Sequence, residues 1–66
     1  MIRTLIVEDS FCNEKEIRVG WIYDSPAEKR HAQYLTHDIN QDAEGIIDDL
    51  NAEGNNFTLI GEVCPQ

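Results

Sequence analysis

Between Asp38 and Glu53 the chain reads DINQDAEGIIDDLNAE, with six carboxylates and no lysine or arginine. The acids are Asp38, Asp42, Glu44, Asp48, Asp49 and Glu53. Threaded among them are Ile39, Ala43, Ile46, Ile47 and Leu50, at the spacing of one helical face. A stretch of this kind has few ways to fold. Burying an unpaired carboxylate is costly, so the acids must face water while the apolar stripe lies on another element. The rest of the chain therefore has to supply an apolar surface for this helix.

Three runs can do so. Ile2–Glu8, IRTLIVE, is rich in β-branched residues and reads as a central strand. Glu16–Tyr23, EIRVGWIY, alternates, with Ile17, Val19, Trp21 and Tyr23 on one face. That phase places Trp21 in the core. Asp9–Glu14, DSFCNE, is turn chemistry, so the first two strands are expected to form a hairpin. Phe57–Val63, FTLIGEV, reads as a third strand with Phe57, Leu59 and Val63 on one face.

The helical region opens at Ser25-Pro26-Ala27-Glu28. Ser25 is placed to N-cap, Pro26 suits the first helical position and Glu28 completes a capping box. The pattern continues through Leu35, and Gly54 is a C-cap for the helix ending at Glu53. Ala32, Leu35, Ile39, Ala43, Ile46 and Leu50 keep one phase. Yet one helix over 26–53 would be ~42 Å long against ~23 Å for a seven-residue strand. A break is therefore expected at Thr36–Asn40, with Asn40 capping a second helix over 41–53. The alternative is a short extended segment at Gln33–Asp38. The expected fold class is α+β: a three-stranded antiparallel sheet packed against one bent helix or two short helices, in the order β-β-α-α-β. Sixty-six residues make one compact domain, 1–66. A right-handed crossover sets the third strand beside the first, antiparallel, with the helices on one face.

The net charge is −8 and is unevenly placed. Residues 1–30 hold six acids against five bases, a net of −1, whereas residues 31–66 hold seven acids and no Lys or Arg, a net of −7. Such a chain repels nucleic acid and anionic membranes and attracts basic surfaces. No signal-peptide pattern or apolar span is present, so a cytoplasmic protein is expected.

Other chemistry finds little support. His31 and His37 have no C-x-x-C partner, and the acids lack EF-hand spacing, so no metal or other cofactor is expected. Cys12 and Cys64 would lie too far apart for a disulfide in this topology. The adjacent pair Asp48 and Asp49 has no pocket to tune it, and no enzyme is expected. Tyr34 falls outside the apolar stripe and is expected to be exposed. With Trp21 and Tyr23 it belongs to the aromatic residue types enriched at interface anchors.

Two resemblances bear on function. MIRTLIVEDS resembles the opening of a response-regulator receiver domain, with Glu8 and Asp9 at the place of its Mg²⁺-binding acidic pair, and LNAEGNNFTLIGEV resembles that family's first-helix end and second strand. These segments cover about a third of the chain, and the stretch between them is about twice too long. The phosphoacceptor strand and later lysine have no counterpart, so receiver activity is not expected to carry over.

The second resemblance is one of size and charge. Six carboxylates along ~24 Å of helix are one per ~4 Å, close to the ~3.4 Å phosphate spacing of a single DNA strand. A 66-residue chain of this acidity resembles the small phage-encoded anti-defence inhibitors, in particular DNA-mimic anti-CRISPR proteins. That resemblance implies an inhibitor acting in the host bacterial cytoplasm. Its partner would be a basic nucleic-acid-binding protein, such as a CRISPR effector subunit, with no direct contact to nucleic acid or membrane. The contact residues would be Asp38, Asp42, Glu44, Asp48, Asp49 and Glu53. The alternative is a small acidic interaction or assembly module without mimicry, monomeric or a weak homodimer.

Overall fold

The computed structural model describes residues 1–63. The elements run β1 (Ile2–Glu8), β2 (Glu14–Trp21), α1 (Pro26–Lys29), β3 (Tyr34–Thr36), α2 (Ala43–Ala52) and β4 (Thr58–Val63). The class is α+β, with one sheet of order β3-β2-β1-β4. β1 pairs antiparallel with both β2 and β4, while β3 pairs parallel with β2. The sheet is thus four-stranded and mixed, not three-stranded and antiparallel.

The difference comes from Gln33–Thr36. The helix begins at its predicted cap, with the Ser25 hydroxyl accepting from the Glu28 N–H and Pro26 at the first turn, but the Glu28 carboxylate accepts from the Met1 ammonium and does not complete the capping box. The helix stops at Lys29 because the chain after it is captured by β2. The Gln33 N–H donates to the Arg18 carbonyl, and the Gln33 side-chain oxygen accepts from the Arg18 N–H. Beyond that two-way pairing, Val19, Gly20 and Trp21 align with Tyr34, Leu35 and Thr36. The short extended alternative is the arrangement adopted.

α2 is cut off at both ends by local chemistry. Asp42, not Asn40, is its N-cap residue, although the Asp42 side chain makes no capping bond. At the C-terminus Gly54 takes φ 109° and donates to the Asn51 carbonyl, while the Asn55 N–H reaches the Leu50 carbonyl. This is a Schellman closure, for which glycine is suited. Asn51 then ties the helix to the last strand: its amide donates to the Phe57 carbonyl and accepts from the Phe57 N–H.

Ile46, Ile47 and Leu50 of α2 pack on Leu5, Val7, Ile17 and Val19 of the sheet, with Ile39 and Phe57 closing the core. Tyr34 joins this core, its ring 5.6 Å from Phe57 in an edge-to-face pair, so it is half-buried rather than exposed. Trp21 departs the other way and is 38% exposed. β1 begins at Ile2, which opposes Gly20, so Trp21 extends past the register of the central strand. β4 also loses its expected phase. A bulge opposite Ile6 and Val7 leaves Leu59 on the core face but shifts Val63 to the other side. Glu62, opposite Leu5, takes the core-facing register instead.

The apolar phase that ran from Ala32 to Leu50 divides between the two sheet faces. Ala32 and Leu35 approach Gly20 on the side turned away from Val19, and so away from α2. A β-carbon at Gly20 would lie 2.7 Å from that of Ala32 and 3.2 Å from Cδ1 of Ile2. Gly20→Ala is expected to cost about 1–3 kcal/mol, because neither Ala32 nor the strand can yield cheaply. Urea midpoints measure this, and a change under ~0.5 kcal/mol would show that the contact is soft.

Candidate functional site

All six predicted acids are exposed, but they do not form one row. Asp38 is not helical. It lies in the β3–α2 connection, where its Oδ1 accepts from the Asn40 N–H at 3.1 Å. The remaining five lie on or beside α2, at positions 42, 44, 48, 49 and 53. They span ~18 Å, one per ~3.6 Å of axis. The linear density read from the sequence therefore survives in a shorter helix.

The apolar stripe divides four of these five into two flanks, with Asp42 at the helix start. Glu44 and Asp48 line a cleft of about 260 Å³ between α2 and the start of β4, with Phe57 and Leu59 at its wall. Asp49 and Glu53 line another of about 280 Å³ on the opposite flank, beside Leu35 and His37. Between the rows lie Gly45, covered by the Gln41 side chain, and the exposed Ala52. The carboxylates thus bracket an uncharged strip.

Few cations relieve this face. Arg3 points toward it but is consumed internally. Its guanidinium donates Nε and Nη2 to the Glu62 carboxylate at 2.8 and 2.6 Å and Nη1 to the Ile39 and Gln41 carbonyls. Lys15 places Nζ 5.1 Å from the Phe57 ring centroid, near the Glu44 flank. Lys29 and Arg30 belong to α1 and its C-cap. Asp49 accepts a neutral bond from Gln41 Nε2 at 2.8 Å, which orients the carboxylate without cancelling its charge.

The Arg3–Glu62 clamp could not be read from the sequence, since it depends on the β4 bulge. It fixes the Ile39–Gln41 loop, and with it the entry into α2. Hydrogen bonds from Arg3 hold the Glu62 carboxyl below its usual range. A depressed acid stabilises the fold above its unfolded pKa, about 4.3 for glutamate, and loses that contribution as pH falls through the folded-state value. Glu62→Gln is expected to lower stability near neutrality by about 1–2 kcal/mol. It should also flatten the decline in urea midpoint between about pH 5 and 2. An acid limb as steep as that of the unmodified chain would assign the effect to other carboxylates.

The receiver-like acidic pair is used differently here. Asp9 Oδ1 accepts from the Phe11 and Asn13 N–H groups and closes the β1–β2 hairpin, in which Cys12 takes φ 64°. Those bonds, chiefly that from Asn13, hold Asp9 below the usual carboxylate range. Its acceptor role is structural. β1 turns directly into an antiparallel strand where the receiver resemblance implies a helix.

Cys12 is exposed and unpaired among the described residues, and a bridge to Cys64 lies outside them. No cluster of three metal-ligating side chains occurs among the described residues. No helix among them is long and apolar enough to cross a membrane. Sequence reasoning missed the exposure of Trp21, whose ring lies 5.3 Å from Tyr23, which in turn lies 6.2 Å from His37. The signal was present in the β-hairpin register, which places Trp21 at the strand's end. No family model matches the chain, and no curated protein or solved structure matches it either.

Proposed function

We propose that the protein is a non-catalytic inhibitor that uses the α2 face to occupy the nucleic-acid-binding site of a basic host protein. The reading rests on one observation: five exposed carboxylates within residues 42–53, four of them in two rows, with no Lys or Arg after Arg30. Like charges at helical neighbour spacing cost stability, as at Asp49 and Glu53. An opposing basic groove offsets that cost. Lysines and arginines that normally hold phosphates would meet the Glu44–Asp48 row and the Asp49–Glu53 row, with Asp38 and Asp42 extending the face toward the β3–α2 connection. The target fitting this chemistry is a DNA- or RNA-binding surface, with a CRISPR effector subunit as the specific candidate and the bacterial cytoplasm as the site of action.

Fluorescence anisotropy of labelled duplex DNA on a purified CRISPR effector complex tests this reading. Added protein should release the DNA, and less effectively as salt rises. Release that is indifferent to salt would point to a different contact.

A second reading is supported by β4. It is an edge strand on which Ile60 is 50% and Val63 41% exposed. Exposed strand edges with apolar side chains favour pairing with another strand. An assembly module would use this edge, and its mass in light scattering would rise with concentration.

A further inference from the structure

Trp21, Tyr23 and His37 form an aromatic strip that the core does not explain. Tyr23 is 68% exposed and Trp21 38%. The rings contact edge to face, Trp21 on Tyr23 at 74° and Tyr23 on His37 at 63°. Their backbone is fixed, because the Ile22 N–H donates to the Thr36 carbonyl and the Asp24 N–H to that of Trp21. In strand phase Trp21 belongs to the side of Ile17 and Val19, which is the α2 side. His37 shares its cleft with Asp49 and Glu53. The strip therefore borders one carboxylate row and not the other.

We propose that this junction is the anchor point for an arginine side chain of the protein partner. Resting on the acidic-face reading above, the inference names which part of the face is specific. A guanidinium is planar, weakly hydrated and always charged, so it stacks on aromatic faces while donating bidentate bonds to a carboxylate. Tyr23 and His37 offer the rings, and Asp49 and Glu53 the acceptors. Lysine, a compact and strongly hydrated ammonium, uses the carboxylates but gains less from the rings. The Glu44–Asp48 row has only the buried Phe57 ring at its cleft wall, and that ring is already faced by Lys15. This row contributes charge, whereas the Asp49–Glu53 row with its aromatic strip selects arginine.

Trp21 is the sole tryptophan, so its emission reports directly on this junction. The full chain is titrated with hexa-arginine and hexa-lysine peptides at low salt. Hexa-arginine should perturb Trp21 emission and bind more tightly than hexa-lysine. Tyr23→Ala should weaken hexa-arginine about fivefold and leave hexa-lysine unchanged, whereas Tyr23→Phe should bind as the parent does. Neutralising the far row with Glu44→Gln and Asp48→Asn should weaken both peptides alike. If Tyr23→Ala binds hexa-arginine as the parent does, the anchor is overturned. In that case loss of binding on Asp49→Asn and Glu53→Gln would leave the acidic-face reading standing. If neither peptide binds, both fail together.

Discussion

Replacing Leu50 by alanine is expected to remove about 2–5 kcal/mol of folding stability. A chain of this size has roughly 3–10 kcal/mol in total, so the variant should be partly unfolded at physiological temperature. The size of the effect follows from position. Leu50 is 1% exposed and sits at the centre of the α2 stripe with Ile46 and Ile47. Its carbonyl also receives the Asn55 N–H and the Asn55 side-chain amide, the latter at 2.8 Å. Truncation leaves a cavity beneath the turn that closes the helix. Because the same stripe holds the carboxylates outward, the loss should abolish function as well as fold. Ile60→Ala is the contrasting control, since that side chain is half-exposed on the edge strand. Its change should stay within about 0.5 kcal/mol. Urea titration compares the two; equal midpoints would mean that α2 is not anchored through Leu50.

The second large effect is on binding. Reversing Glu44, Asp48, Asp49 and Glu53 to lysine should weaken the complex with a basic partner by about a hundredfold or more, since close charge pairs across an interface couple strongly. Folding should survive. Lysine in the last turns of α2 suits the negative end of the helix, whereas lysine at Glu44, in the first turn, costs ~0.3–1 kcal/mol. Reversing the pairs separately divides the face: Glu44 with Asp48 against Asp49 with Glu53. Circular dichroism checks that the helix persists. Unchanged affinity in the fourfold variant would place the contact elsewhere, with the β4 edge as the next surface to alter.

The parts of the fold that local chemistry specifies were legible in the sequence. The β1–β2 hairpin, the Ser25-Pro26 helix start and the Gly54 closure follow from turn residues, caps or strand phase, while the antiparallel placement of β4 beside β1 follows from the rule for connections. What was not legible depends on partners distant in sequence. Gln33 ends α1 through Arg18 and turns a predicted helix into a parallel strand. The β4 bulge moves Glu62 onto the core face, where it meets Arg3. Neither event has a local signature. The single apolar phase from Ala32 to Leu50 misled for the same reason. Periodicity records which residues avoid water, not which face of the sheet receives them.

The acidic face shows the same division. The acids and their exposure were readable from helical phase. Asp38 falls in the expected break before the second helix, where it closes a turn through the Asn40 N–H. The aromatic border at Trp21, Tyr23 and His37 was hidden, because it joins the end of β2 to the residue after β3.

Capture of partners from a bacterial lysate on the immobilised chain, followed by elution with duplex DNA, tests the central claim most directly. Occupation of a nucleic-acid site predicts that basic nucleic-acid-binding proteins are retained at low salt and released both by DNA and by raised salt. Retention of partners that resist DNA and salt alike would contradict it.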